Sequence, residues 1–362
     1  MFYYLAEFKD FFFGFNVFRY ITFRAGMAAV TTFLCCVILG PFFIRKLRKW
    51  NIGENAKRDD CPTLNSFHDT KEGTPTMGGI LIVSSILFSV LLWAQLNNRY
   101  IILTMITCLF LAILGFIDDY VKLNPRFEKR GLSKKTKLIW QVLIGCFIGS
   151  YVFFNPDTSP ELRFPFMKNL VVNLWIFYIP FVAVIVIGTS NAVNLTDGLD
   201  GLAIGCVLIV SLTLAIISYI TGHLHFSQYL FIPYVPGTGE LSIFCMAIVG
   251  ASLGFLWFNC HPASVFMGDV GSLSLGGTLG VIAVFTKKEL LLVLLGGIFV
   301  IEALSVIMQV ASFKLRGKRI FKMSPLHHHL QLSGWKESKI IIRFWIIAII
   351  LALLTLTTLK IR

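Results

Sequence analysis

The chain is 362 residues long, 56% hydrophobic and only 14% charged, against roughly a quarter charged in soluble globular proteins. With 34 Phe and a mean hydropathy of +0.77, so few charges cannot cover the surface of a soluble core. Soluble multidomain, disordered, collagen-like and disulfide-scaffold classes are excluded, leaving an integral membrane protein. The net charge of +13 would suggest nucleic acid in a soluble chain; here it is a signal of sidedness, and no nucleic-acid partner is expected.

Residues 1–24 are rich in aromatics and lack the charged, apolar, small-residue order of a cleaved signal peptide, so the first span is expected to do the targeting. A spanning helix needs about 20 mostly apolar residues. Ten runs qualify, at about 21–44, 77–96, 101–117, 138–154, 170–188, 201–220, 241–258, 272–286, 290–312 and 340–359. The expected fold is therefore an all-α polytopic membrane protein of ten transmembrane helices, one domain over 1–362. Its loops at about 45–76, 118–137, 189–200, 259–271 and 313–339 fall on one side. Those five loops hold 21 of the 32 Lys and Arg, ten lie on the other side, and Arg343 stands at a span edge. By the positive-inside rule the five loops are cytoplasmic and both termini face outward.

Six of the eight cysteines lie inside apolar runs, and Cys61 and Cys260 stand far apart in loops, so neither zinc nor disulfides are expected. The acids sort differently. Asp118, Asp119, Asp197, Asp200 and Asp269 all fall at span–loop junctions of the cytoplasmic side, from three separate loops. Acids at a membrane edge are costly unless paired, solvated or metal-bound, and five on one face suggest a shared site.

In chain order, residues 71–79 (KEGTPTMGG) open the second span. They are no Walker motif; Thr76 fits a helix cap and Lys71 is within reach of an anionic ligand. Residues 118–122 (DDYVK) place Lys122 three and four residues beyond the paired acids, on the same helical face. Two readings fit: a magnesium and phosphate site with a carboxylate free to take a proton, or a hydrated helix end with a local ion pair. Residues 191–201 (NAVNLTDGLDG) repeat Asn194, Asp197 and Asp200 every three residues, on one side of a helical turn. Capping explains one or two of these polar groups, hardly all. In 259–272 Asp269 lies between glycines and suits a hard cation, or an N-cap. Phe266 suits stacking on a base or sugar, or ordinary packing. His327, His328 and His329 are adjacent, which is poor zinc spacing. They fit hydrogen bonds or charge near phosphate, or a solvated basic loop. His223, His225 and His261 are read as interfacial polar residues.

Together these motifs resemble the phospho-N-acetylmuramoyl-pentapeptide-transferases (MraY, translocase I) of the polyprenyl-phosphate N-acetylhexosamine-1-phosphate transferase superfamily. The resemblance spans nearly the whole chain. It rests on residues 73–79 (GTPTMGG), 118–122 (DDYVK), 191–202 (NAVNLTDGLDGL), 266–272 (FMGDVGS) and 325–329 (PLHHH). The region 58–71 departs from the family pattern, with Cys61 in place of a usual Gly. The resemblance implies ten transmembrane helices, periplasmic termini, a cytoplasmic active site in the bacterial inner membrane, and usually a homodimer. It implies transfer of phospho-MurNAc-pentapeptide from UDP-MurNAc-pentapeptide to undecaprenyl phosphate, giving lipid I and UMP, with Mg2+ required. Carried over to this chain, Asp269 would hold magnesium, Asp118 would prepare the lipid phosphate, and Asp119 and Lys122 would aid its placement. Lys71, Thr76, Asn194, Asp197, Asp200, Asn259 and Phe266 would meet the nucleotide and sugar. Lys137 and His327, His328 and His329 would meet phosphates or the peptide-bearing sugar.

Two rival classes remain open at this point. A sister transferase would use UDP-GlcNAc, although the 73–79 stretch and the three histidines favour the muramoyl branch. A secondary transporter would carry acids near the bilayer midplane and inverted repeats. Here the acids gather on one side and no repeat is visible.

Overall fold

The structure is a computed structural model and describes residues 1–50, 73–124, 131–155, 158–165, 167 and 170–360. Two 3-10 turns, Phe2–Phe8 and Phe13–Arg19, precede helix α1 (Ile21–Lys49). Then come α2 (Gly79–Trp93), α3 (Arg99–Leu123) and α4 (Lys134–Phe154). A ribbon of β1 (Glu161–Arg163) and β2 (Val171–Asn173), antiparallel with Leu162 opposite Val172, leads to α5 (Tyr178–Thr196) and α6 (Leu202–Thr221). The remaining helices are α7 (Leu224–Leu230), α8 (Leu241–Asn259), α9 (Gly268–Phe285), α10 (Glu289–Leu295), α11 (Gly297–Arg316), α12 (Leu326–Gln331) and α13 (Glu337–Thr358).

Among the described residues nine helices are long and apolar enough to cross a membrane, and Gly79–Trp93 is a shorter apolar helix of 15 residues. The chain is thus polytopic and all-α apart from the three-residue ribbon strands. Local chemistry sets several boundaries. Asn98 accepts from the backbone N–H of Tyr100 (2.9 Å) and Ile101 (3.3 Å), and Ser133 accepts from Thr136 N (3.1 Å), starting α3 and α4 as N-caps do. The apolar run 290–312, expected as one span, is instead divided into α10 and α11, with Gly296 between them.

Helix α9 is the axis of the bundle. Every residue from Asp269 to Phe285 is buried, with α3 and α5 against it. The close approach needs small residues: a Cβ on Gly115 of α3 would lie 2.3 Å from the carbonyl oxygen of Asp269. This is how packing proceeds where lipid supplies no hydrophobic drive between helices.

The two ends of the bundle are charged in different ways. At the end where α3 begins and α9 finishes, Arg24 of α1 is buried and forks onto Glu240, with Nη2–Oε1 2.5 Å and Nη1–Oε2 2.8 Å. Glu240 also accepts from Gln95 N (3.1 Å), and Arg24 donates to the Trp93 carbonyl (3.1 Å) and lies over the Tyr3 ring. Nearby in chain order after α9, Tyr178 donates to Glu289, while Lys287 donates to the Ser159 carbonyl (2.5 Å) and to the Tyr178 hydroxyl (3.0 Å). Burial pushes the Glu289 carboxyl up and the Lys287 ammonium down from their ordinary values. The opposite end holds the acidic motifs.

Candidate active site

The site is assembled from the last turn of α3, the first turns of α4 and α9, and the turn after α5. Asp118 and Asp119 are both buried on α3, and Lys122, one turn on, reaches Asp118 at 2.6 Å and Asp119 at 3.8 Å. The i+3 and i+4 spacing read from the sequence is therefore realised. The same ammonium lies 2.9 Å from Asp269 Oδ2. Lys137, from the first turn of α4, repeats the bridge, at 2.7 Å from Asp118 Oδ2 and 2.9 Å from Asp269 Oδ2. Asp118 Oδ1 accepts from the backbone N–H of Leu132 at 2.7 Å.

Asp269 enters from the start of α9, just after Gly268. That glycine has φ +74°, and a Cβ there would stand 2.6 Å from Asp119 Oδ2, so the position requires a glycine on both counts. Asp119 Oδ2 accepts from Val270 N at 3.3 Å, tying α3 to the α9 N-terminus. Asn194 of α5 donates to Asp269 Oδ1 (2.7 Å) and to Ser272 Oγ (2.8 Å). Asp269 is not an N-cap: that position is Met267, without a side-chain bond.

Oxygens of Asp118, Asp119 and Asp269 lie within 4.8 Å of one another. Three carboxylates this close repel, and among the described residues two ammoniums supply two compensating charges. The donors are hard oxygens suited to a divalent cation such as magnesium, so the residues fit that ion.

Beside the triad lies a cavity of about 380 Å³. Asp119, Lys122, Asn194 and Asp269 form one wall; Asp197, Gly198 and Asp200 form another; Thr76, Asn259, Phe266, His327 and His328 complete it. Asp118 and Lys137 stand behind this wall, and His329 is turned to the Lys322 backbone, whose N–H it accepts at 3.2 Å. Lys71 lies outside the described residues.

Several expectations change in detail. Helix α5 ends at Thr196, Asp197 caps it, and Gly201 takes φ +79° before α6 starts. Asn194, Asp197 and Asp200 consequently do not share a helical face; they border one cavity from a helix and a turn. Thr76 does not cap α2, whose N-cap is Gly78 without a side-chain bond. Instead the segment 75–79 is zipped to the loop before α9: Phe266 N donates to the Pro75 carbonyl, and Gly78 N and Gly79 N donate to the Phe266 and Met267 carbonyls, each at 2.8 Å. Asn259 spends its side chain on backbone, accepting from Gly201 N (3.0 Å) and donating to the Val265 carbonyl (2.8 Å). His261 is not merely interfacial: its Nδ1 lies 3.1 Å from Asp200 Oδ2. The histidine loop is not wholly solvated, because α12 buries His327 and His328.

Sequence reasoning missed Glu302 and Glu337. Glu302 of α11 is fully buried and faces His327, and Glu337 of α13 accepts from Asp200 N at 3.0 Å. An acid inside an apolar run was the available signal for Glu302.

Comparison with known proteins shows the family. Residues 100–287 match the family described as glycosyl transferase family 4, and residues 71–83 match phospho-N-acetylmuramoyl-pentapeptide-transferase signature 1. Proteins named phospho-N-acetylmuramoyl-pentapeptide-transferase are 54% identical over 348 residues in Pelobacter propionicus, covering 96% of each chain. The one from Thermodesulfovibrio yellowstonii is 52% identical over 361 residues, 99% of each chain. The chain belongs to the phospho-N-acetylmuramoyl-pentapeptide-transferase family. A Geobacter relative of the same name is 54% identical over 348 residues. The signature match over 71–83 covers the stretch 73–79 that set the muramoyl branch apart in the sequence.

Proposed function

We infer that the chain is an inner-membrane transferase that moves phospho-MurNAc-pentapeptide from UDP-MurNAc-pentapeptide to undecaprenyl phosphate, giving lipid I and UMP. Near full-length identity to the family supports this reaction. The observation that carries the reading of the site is the Asp118–Asp119–Asp269 triad, cross-bridged by Lys122 and Lys137 at the wall of a polar cavity.

In this reading a lipid phosphate oxygen attacks the sugar-linked phosphorus of the pyrophosphate. The bond from that phosphorus to the bridging oxygen breaks, and UMP leaves with the oxygen. Such a transfer depends on alignment and charge neutralisation more than on covalent help. Mg2+ held by Asp269, with Asp119 and Asp118 close by, would supply Lewis-acid charge stabilisation. Asp119 borders the cavity and is better placed than Asp118 to meet the lipid phosphate. Asp118 holds Lys122, whose ammonium borders the cavity and meets the transferred phosphoryl group, while Lys137 neutralises Asp118 and Asp269 from outside the cavity lining. Phe266 and Asp197 are assigned to the uracil and ribose end, and Asn194 orients Asp269. Asp200 and Asn259 set the loops around the cavity, Thr76, Lys71, His327 and His328 complete the substrate contacts, and His329 holds the Lys322 backbone beside them. The same reading puts the triad end on the cytoplasmic side, both termini in the periplasm, ten helices across the bilayer, one domain over 1–362 and two chains per enzyme. The charge asymmetry of the loops supports that orientation.

The test is UMP release by purified protein in detergent. Release is expected only with UDP-MurNAc-pentapeptide, undecaprenyl phosphate and Mg2+ together, and not with UDP-GlcNAc. Equal release from UDP-GlcNAc would move the chain to the sister transferases. A stoichiometric burst of UMP without lipid phosphate would replace single displacement by a phospho-enzyme route.

A further inference from the structure

The turn between α5 and α6 is held from outside the cavity lining. Glu337, the first residue of α13, has a side chain only 11% exposed, and its Oε1 accepts from the Asp200 N–H at 3.0 Å. Asp200 passes the contact on. Its Oδ2 accepts from the Ala263 N–H at 3.1 Å, and His261 Nδ1 lies 3.1 Å from the same oxygen and 3.8 Å from Glu337 Oε2. One residue further, Gly201 donates its N–H to Asn259, whose amide donates to the Val265 carbonyl. Two links therefore run from the turn to the loop 260–267, and Phe266 follows directly on the second. Asp197, Asp200, Asn259 and Phe266 all line the cavity. Apart from the His261 contact, every donor in these links is a backbone or amide N–H, so the direction of each bond depends on no titrating proton.

The triad is secured separately. Phe266 N, Gly78 N and Gly79 N zip the end of the same loop to segment 75–79, and Val270 N donates to Asp119. Asp269 is thereby fixed from the segment before α2 and from α3, whereas the loop ahead of Phe266 is tied through Asp200 to α13.

We propose that Glu337 is a positioning residue: by holding Asp200 it sets the loop that carries Phe266, so that binding of UDP-MurNAc-pentapeptide depends on it and binding of undecaprenyl phosphate does not. This role rests on the assignment of Phe266 and Asp197 to the uracil and ribose end of the cavity. What Glu337 contributes is an acceptor at a set reach, and not a charge. A glutamine keeps both the acceptor and the reach. An aspartate keeps the charge but is one methylene too short, and an alanine leaves the N–H of buried Asp200 without that acceptor.

The test is steady-state UMP release by the full-length protein in detergent, with each substrate varied in turn. Glu337→Ala and Glu337→Asp are expected to raise KM for UDP-MurNAc-pentapeptide about 10-fold, the effect of one buried hydrogen bond. KM for undecaprenyl phosphate, kcat and the Mg2+ concentration at half-saturation should keep their wild-type values, and Glu337→Gln should restore most of the nucleotide KM. A contact that only stabilises the fold would lower the melting temperature and leave both KM values alone, which overturns the proposal. Equal shifts in both KM values, or a Glu337→Gln enzyme impaired while Glu337→Asp is not, overturn it as well. Hydrogen exchange without substrate reads the link apart from activity. Glu337→Asp should exchange faster than wild type over 198–201 and 260–266 and equally over 268–285. Unaltered exchange over the first two segments counts against the link itself, whereas a wild-type protein that releases no UMP counts against the reading of the cavity.

Discussion

The two ends of the bundle both bury charge, yet they are built on opposite plans. At one end Arg24 and Glu240 meet as a forked pair, with Gln95 N and the Trp93 carbonyl taking further positions around them. At the other end two lysines are shared among three aspartates, among the described residues no carboxylate of the three has a cation to itself, and a cavity opens alongside. A closed pair fixes the relative placement of helices. A set of carboxylates outnumbering its ammoniums can exchange a lysine contact for a ligand cation or phosphate. Buried charge alone therefore does not single out a candidate site; shared partners beside an open volume do.

This contrast can be broken by substitution. The largest effect on turnover is expected for Asp269→Asn, which removes the charge that both lysines and Asn194 address. UMP release should fall on the order of 10³-fold, the upper range for loss of one electrostatic contact, with the melting temperature held within a few degrees. A similar fall in melting temperature would mean that this end is a structural pair too. Lys137→Met should follow, with turnover down about 10²-fold and half-saturation at a lower Mg2+ concentration in the same assay, since Asp118 and Asp269 then keep Lys122 but lose the second ammonium.

At the closed end the signature should invert. Glu240→Gln leaves the Arg24 guanidinium buried against a neutral amide, and breaking such a pair costs about 3–5 kcal/mol. Thermal unfolding in detergent should show the loss, while turnover per folded molecule stays at the wild-type level. The smallest effect concerns Glu289. Because burial raises its carboxyl value in the folded chain, its contribution is fully present below the ordinary Glu value of about 4.3 and is lost as pH rises toward the raised folded value. The melting-temperature difference between wild type and Glu289→Gln should thus shift against wild type by a few degrees as pH rises above 4.3. A pH-independent difference would place Glu289 outside this linkage.

Much of the site was legible because its signals are local. The Asp118, Asp119 and Lys122 spacing survives intact on α3, and Asp269 between glycines announces a tight α9 entry. What escaped the sequence depends on partners distant along the chain. Nothing near residue 327 reveals that a carboxylate 25 positions earlier will hold it. The three-residue repeat of Asn194, Asp197 and Asp200 mimicked one helical face, but Gly198 and Gly201 favour a turn, and Asp200 is drawn off to Ala263 N and His261. Likewise the run 290–312 read as one span because hydropathy does not register the break between Leu295 and Gly297. Hydropathy located the helices and spacing located the acids; tertiary partners decided which side chains remain available.

Helix α9 carries one more consequence. Its mean hydropathy of 1.4 is the lowest of the nine long helices, it holds Gly271, Gly276, Gly277 and Gly280, and it shows lipid no face at all. Alone in a bilayer it would be the least stable of the set, since its glycines and serines are suited to neighbouring helices and not to acyl chains. Yet it bears Asp269. A partly assembled chain therefore lacks not only stability but also its third carboxylate, so the enzyme cannot acquire its chemistry before its architecture is complete.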